Sequence, residues 1–339
     1  MRRLVLLLAL ALALLAAAVA FDWQIDPSGL VWKPDALAAA RSTGCLVSEE
    51  LIGSTYWSFK RDVFFHRPTR RFVVGSSRVL KMSAGDAAFA NLGYPGTSPE
   101  TILRLFRSLP AKPVQTVYVG VEAFWLNDRY VVPVTNPSTV KVLEYLAARA
   151  TFRQAWSLWR QKSWLLTARW HRDPIGDTCV LDRFYPAISW RADGSRVWGW
   201  ELDPHRFARF HASPFRGDLE TWRNGYYADW RRLDPGRLHA LEQALALARA
   251  RRWQVVGFPP PEPAHMLHVL DTDPRLAPQW HAYLRLMPRL FARYGFRWSA
   301  TQDGAALGCR SSDFPDAFHA DARCSGLLLR RVEHVHLFG

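Results

Sequence analysis

Short apolar runs that stop abruptly at glycine, proline or serine, with helical stretches between them, constrain the fold of this chain more than any other feature. The first is Phe72-Val73-Val74, halted by Gly75-Ser76-Ser77. Thr116-Val117-Tyr118-Val119-Gly120-Val121 is the next. Residues 253–258 form a third run, ending at Pro259-Pro260-Pro261, and Phe296-Arg297-Trp298-Ser299 is the last. A further short strand is expected at residues 79–82 or 90–93. Helical patterns lie between: residues 99–109 with Ser98 as N-cap, residues 238–252 with Leu238, Leu241, Leu245 and Ala248 on one face, and residues 278–294 closed by Gly295. Strands alternating with helices of this length indicate βαβ units. The predicted fold class is α/β, a three-layer sandwich with a central, mostly parallel sheet.

Residues 130–235 interrupt the alternation. They are rich in Trp, Arg, Tyr and Pro, hold many of the 16 tryptophans and contain no evident repeat. The expectation is a largely helical insertion, with helices near residues 138–170, within one α/β domain spanning 71–339. Residues 22–70 read as an irregular lead-in with one short helix around 34–41. The Trp-rich stretch has three readings: a glycan groove, a bilayer-interface segment, or a hydrophobic subcore.

Met1-Arg2-Arg3 precedes an unbroken apolar stretch from Leu4 to Phe21. A basic start, an apolar body and the small residues Ala18-Val19-Ala20 fit an export signal cleaved after Ala20. The same stretch is near the length that spans a bilayer, so residues 1–21 serve either as a signal peptide or as an N-terminal membrane anchor. As an anchor, the arginines stay cytoplasmic and the remainder is periplasmic or otherwise extracytoplasmic.

The formal charge is +14. The arginines are scattered and no nucleic-acid-binding signature is present, so no nucleic-acid partner is expected. Anionic lipid or acidic polymer suits the charge better, beside the plain reading of an arginine-rich solvated surface. The four cysteines form no Cys-x-x-Cys and no zinc-type cluster, so neither metal nor another cofactor is expected. Export permits disulfides. Cys309 and Cys324 bracket a late Asp-x-x-His, and a bond between them would staple that loop, leaving Cys45 and Cys179 as the second pair.

Two motifs carry chemistry. Gly75-Ser76-Ser77-Arg78 ends the first strand, and Asp313-Phe314-Pro315-Asp316-Ala317-Phe318-His319 lies near the C-terminus. Serine is a poor nucleophile until a histidine takes its proton, and that histidine needs a carboxylate to fix its tautomer. In a parallel sheet, reactive groups gather beyond the carboxyl ends of the strands. Gly75-Ser76-Ser77, Glu122, Pro259 and the segment after Ser299 all fall at such ends.

These motifs, in this order, resemble the SGNH (GDSL-like) hydrolase superfamily, over about residues 70–125 and 235–325. The resemblance implies that Ser77 is the nucleophile, with Ser76 at the aspartate position of the Gly-Asp-Ser block. It makes Asp316 and His319 the acid and base. It assigns Asn91-Leu92-Gly93 to the second block, with the Gly93 N–H joining the Ser77 N–H in an oxyanion hole. The third block departs: Gly120-Val121-Glu122-Ala123 stands where Gly-x-Asn-Asp is expected. A carboxylate at Glu122 cannot donate a hydrogen bond unless protonated. Asn127 replaces the missing donor only if its loop folds back. The apolar N-terminal segment, Gly-Ser-Ser-Arg and the late Asp-x-x-His look most like membrane-tethered proteins of cell-envelope acylation, such as the teichoic-acid D-alanylation protein and alginate-type O-acetyltransferases. That likeness implies an O-acyltransferase or esterase acting on an acylated envelope glycan or acyl donor, beside a multi-spanning membrane acyltransferase. The alternative is a catalytically degenerate fold serving as a glycan-binding or scaffold subunit of such a complex.

Other assignments compete at each position. Ser77 also suits a strand-end cap, and Ser76 is the rival nucleophile. His319 is one of 11 histidines, Asp316 also fits a helix-start cap, and Asp313 is the rival acid. Arg78 is either a binder of acidic substrate or half of a structural ion pair.

Overall fold

A computed structural model describes residues 2–25, 45–48, 56–110, 112–131, 149–161, 171–175, 178–182, 188–198, 201, 225–316 and 318–338. Helix α1 (Arg2–Ile25) is followed by strand β1 (Leu46–Ser48) and helix α2 (Tyr56–His66). Strands β2 (Arg71–Val74), β3 (Phe89–Asn91) and β4 (Thr116–Gly120) come next, with α3 (Pro99–Ser108) between the last two. The middle of the chain holds α4 (Arg149–Gln161) and strands β5 (His171–Ile175), β6 (Thr178–Asp182), β7 (Ile188–Trp190) and β8 (Arg196–Trp198). It closes with α5 (Pro235–Ala250), β9 (Gln254–Phe258), α6 (Ala264–Thr272), α7 (Ala277–Arg293), β10 (Arg297–Trp298) and α8 (Ala322–Phe338).

The chain divides into two compact units. One comprises residues 60–135, 193–197 and 207–339, and its centre is a five-stranded sheet in the order β10-β9-β4-β2-β3. Every pairing in it is parallel. Helices flank it, giving the α/β architecture expected. Successive side chains of a strand point to opposite faces, and here both faces are covered. Phe72 packs edge-on against Phe64 of α2, Phe106 of α3 and Trp253. Val73, the next residue, belongs to the opposite core, with Tyr118, Val256, Phe258 and, from α8, Leu328, Leu329 and Val332. Burial on both sides is why these strands read as continuous apolar runs rather than alternating ones.

Helix boundaries follow local chemistry. The Ser98 side chain accepts from the Thr101 N–H, with Pro99 in the first turn of α3. Asp234 accepts from the Gly236 and Arg237 N–H groups to open α5, three residues before the predicted start. Gly295, at φ +77°, follows α7 in the left-handed region that favours glycine. Of the two alternatives for the short strand, the chain uses 89–91, and residues 77–79 form a 3₁₀ turn instead.

The other unit comprises residues 1–59, 136–192 and 198–206. In it, β1 pairs parallel with β6 and antiparallel with β7, while β5 pairs antiparallel with β6. The segment 130–235, expected to be largely helical, therefore contributes four strands besides α4 among its described residues. The expected helix at 34–41 lies outside the described residues. Phe59 packs edge-on against Trp190, which is fully buried. Helix α1 contains a stretch, Val5–Trp23, long and apolar enough to cross a membrane, with a mean hydropathy of 2.6.

Three glycines make room for one side chain at the edge of the parallel sheet. A Cβ on Gly120 would lie 2.6 Å from Val79, one on Gly93 2.8 Å, and one on Gly75 3.0 Å. Val79 belongs to the turn that carries Ser77, so the glycines at these strand ends let that turn seat against the sheet. Gly120→Ala is expected to cost about 1–3 kcal/mol, the usual range for overpacking a core. Urea unfolding of the full chain measures it as a lowered midpoint.

Candidate active site

Asp316, His319 and Ser77 form one chain of hydrogen bonds. His319 Nδ1 lies 2.6 Å from Asp316 Oδ2. His319 Nε2 lies 2.8 Å from Ser77 Oγ. With Nδ1–H donating to the carboxylate, Nε2 is left as acceptor for the serine hydroxyl. The three residues come from two ends of the sequence, and the parallel sheet brings them to the carboxyl edge of β2.

Asp316 has two tasks. Its Oδ1 accepts the backbone N–H groups of Phe318 (3.0 Å) and His319 (2.6 Å), while Oδ2 holds the imidazole. One oxygen thus caps the turn and the other bonds the imidazole. Burial alone would push this carboxyl up, but the bonds from His319 and the two amides outweigh it and hold it below the usual carboxylate range. Asp313 is committed elsewhere: it accepts from the Arg310 N–H at 2.7 Å and pairs with Arg323. Burial drives the His319 imidazole below its ordinary pKa; Asp316 pulls it back up, and Arg196 and Arg78 lower it further. The ring is therefore neutral near pH 7, as a proton acceptor must be.

Ser76 turns the other way. Its hydroxyl donates to Glu122 and accepts the Arg78 N–H at 3.1 Å. Ser77, not Ser76, faces the histidine.

Arg78 is 3% exposed, and its guanidinium uses all its donors within the protein. Nη1 donates to Glu122 (2.9 Å) and Glu262 (2.7 Å), Nη2 to the carbonyls of Pro261 (2.6 Å) and Pro260 (3.4 Å), and Nε to the Phe318 carbonyl (3.0 Å). Of the two readings of Arg78, the structural ion pair holds and the binding of an acidic substrate is corrected, because no donor is left for a ligand. Its role is positioning: it ties the ends of β4 and β9 to the loop that carries His319. Burial pushes the Glu262 carboxyl up to about 7; Arg78 opposes the rise and Glu122 adds to it, since two carboxylates share one cation.

The oxyanion donors depart from expectation. The Gly93 N–H donates to Asn91 Oδ1 at 2.9 Å. The amide hydrogens of Asn127 go to the carbonyls of Tyr226 and Ala228, both at 3.0 Å, and its oxygen accepts the Arg129 N–H. Asn127 is fully buried and ties its own loop to the segment 226–228. Both assignments are corrected: these groups are engaged away from Ser77. The Ser77 N–H itself has no acceptor among the described residues.

Sequence reasoning missed the aromatic wall. Phe318 lies on the His319 ring at 4.3 Å between centroids, and Tyr226 meets Phe318 edge-on at 5.7 Å. Phe124 and Tyr130 back Tyr226. It also missed the turn 193–197, which is pinned to the same edge. The Asp193 carbonyl accepts the Asn91 N–H at 2.7 Å, the Arg196 N–H donates to the Leu80 carbonyl at 2.7 Å, and Lys60 donates to the carbonyls of Asn91 and Gly194. Only the charge of Arg196 and the glycine at 194 hint at this in sequence.

Cys309 and Cys324 form a disulfide, as their placement around the Asp-x-x-His suggested. It encloses the loop bearing Asp313, Asp316 and His319. Cys45 is also disulfide-bonded; the side chain of Cys179 lies outside the described residues.

No protein-family model matches the chain, and no curated protein matches it.

Two stability outcomes follow from the site. Replacing Arg78 with Met leaves two buried carboxylates without their cation and is expected to cost about 3–5 kcal/mol. Removing the 309–324 bond by Cys324→Ser is expected to cost about 2–4 kcal/mol, as for other loops of this size. Denaturant unfolding measures both, with Ser77→Ala as a reference expected to unfold like the wild type.

Proposed function

We propose that this protein is an SGNH-type acyl-transfer enzyme, an O-acyltransferase or esterase, working on an acyl ester of a cell-envelope glycan outside the cytoplasm. The single observation that carries the proposal is the unbroken path Asp316–His319–Ser77. Ser77 Oγ adds to the acyl carbonyl while Nε2 takes its proton. The tetrahedral adduct collapses, the imidazolium returns the proton to the departing oxygen, and an acyl-enzyme forms. A sugar hydroxyl or water then adds to the acyl carbon, giving its proton to Nε2, and Oγ leaves as the free serine hydroxyl. Asp316 keeps the ring in the right tautomer and stabilises its charged form. The Ser77 N–H is the donor available for the oxyanion. The aromatic wall of Phe318 and Tyr226 supports a sugar ring beside the nucleophile, and α1 supports a membrane tether near a multi-spanning acyltransferase.

A second reading rests on the engaged donors at Gly93 and Asn127. With only one amide donor for the oxyanion, the chain would serve as a glycan-binding or scaffold subunit. A fluorophosphonate probe separates the two. Labelling of the folded wild type that Ser77→Ala removes supports the enzyme; unlabelled folded protein supports the scaffold.

For the enzyme, Ser77→Ala and His319→Ala are each expected to lower kcat by about 10⁴-fold or more on a small acyl ester. Full activity in either variant would remove the assignment. The pH profile gives a separate check. His319 must be neutral to accept a proton, and its pKa is depressed. The acid limb of kcat/KM is therefore expected below pH ~6.5, with activity retained above it and lost as pH falls through the lowered value.

A further inference from the structure

The apolar surface of α1 does not end at Phe21; it continues onto α4. Phe21 lies 5.8 Å from Phe152, 6.3 Å from Trp156 and 6.4 Å from Trp159, between ring centroids. Trp156 in turn packs on Phe152 and, at 4.8 Å, on Trp159. These rings are not sealed in a core. Trp23 is 47% exposed, Trp156 45% and Phe152 38%, while Ala155 beside them is fully buried. At about 3.6 residues per turn, Phe152, Trp156 and Trp159 fall on one arc of α4, and Arg149, Arg153 and Arg160 fall on the adjoining arc. All three arginines are exposed.

An aromatic band bordered by arginines suits one environment. Tryptophan rings concentrate where acyl chains meet headgroups, and arginine stems lie along apolar surface while their charges reach polar groups. This band lies at the end of α1 opposite Arg2 and Arg3, where the apolar stretch meets Asp22 and must leave the hydrocarbon. The leucines earlier in α1 are open along its length: Leu6 is 69% exposed and Leu8 61%. A membrane that covers them reaches its far boundary at Phe21 and Trp23, the level of the α4 rings.

We propose that α4 is an interfacial helix. Together with the last turn of α1 it forms an aromatic collar in the headgroup region of a lipid bilayer, with Trp156 and Phe152 facing the upper acyl chains and the arginines among the headgroups. This partner surface is independent of the chemistry at Ser77. It holds the unit formed by residues 1–59, 136–192 and 198–206 against the membrane instead of leaving it on a free tether.

Tryptophan quenching in the full-length protein tests this. The protein is reconstituted into vesicles of phosphatidylcholine and phosphatidylglycerol whose acyl chains carry bromine either close to the headgroup or near the bilayer centre. The headgroup-proximal bromine is expected to quench a component of the emission that Trp156→Phe removes, and the central bromine is expected to leave that component bright. Phenylalanine keeps the packing, so the variant reports on location. Shallow quenching unchanged by Trp156→Phe overturns the proposal. So does mature protein from membranes whose first residue is Phe21, because α1 is then gone and the collar has nothing to border.

Discussion

The guanidinium of Arg78 is the joint on which the edge carrying Ser77 and His319 depends. Parallel strands bring their carboxyl ends side by side, but a sheet alone fixes only the backbone there. Arg78 lies in the turn after β2, and it reaches Glu122 beyond β4, Glu262 and the Pro260–Pro261 carbonyls beyond β9, and the Phe318 carbonyl next to His319. Such a cation is costly to bury unless it is fully paired. Here the pairing is complete, so the geometry of three strand ends and the histidine loop is fixed together. Lysine could not replace it, because a compact ammonium lacks the planar fork that addresses carboxylates and carbonyls in several directions.

The loop that carries His319 is held from three sides. Arg78 anchors it at Phe318, Asp316 folds it through the Phe318 and His319 amides, and the 309–324 disulfide closes its base. Asp313, paired with Arg323, adds an ion pair from α8. Each device acts on a different part of the segment. A histidine that must meet a serine 242 positions away in sequence needs this redundancy, because hydrogen-bond distance leaves little tolerance.

What the sequence makes legible is local chemistry, and what it hides is long-range pairing. Strands β2, β4 and β9 are readable because burial on both faces writes an unbroken apolar run, and α3, α5 and α7 are readable from Ser98, the apolar face of Leu238, Leu241, Leu245 and Ala248, and Gly295. Ser77, Asp316 and His319 are readable because each sits in a short motif with few chemical uses. Arg78 is different: its partners Glu122 and Glu262 lie 44 and 184 positions away, and no spacing rule links them. Gly93 was assigned by motif to the oxyanion, yet its lack of a side chain serves Val79 and its N–H serves Asn91. The strands of residues 130–235 were missed for a related reason. Strand β6 is recruited by β1, more than a hundred residues earlier, so tertiary pairing decides its state rather than local propensity.

Those same pairings set the electrostatics of the site. Glu122 and Glu262 pair Arg78 directly, yet its charge still helps to lower the His319 pKa. Arg196 opens β8, where its backbone N–H bonds to the Leu80 carbonyl, and its charge too is felt at His319, where it opposes protonation. A potential that disfavours an imidazolium favours an oxyanion, since both respond to the same field with opposite sign. For acyl transfer at Ser77, a positive field from Arg196 would assist the Ser77 N–H where the Gly93 and Asn127 amides do not. It would also raise the cost of the charged histidine that forms in the same step. Asp316, which bonds directly to the ring, would offset that cost, and the carboxylate and the arginine would then act on opposite ends of one charge separation.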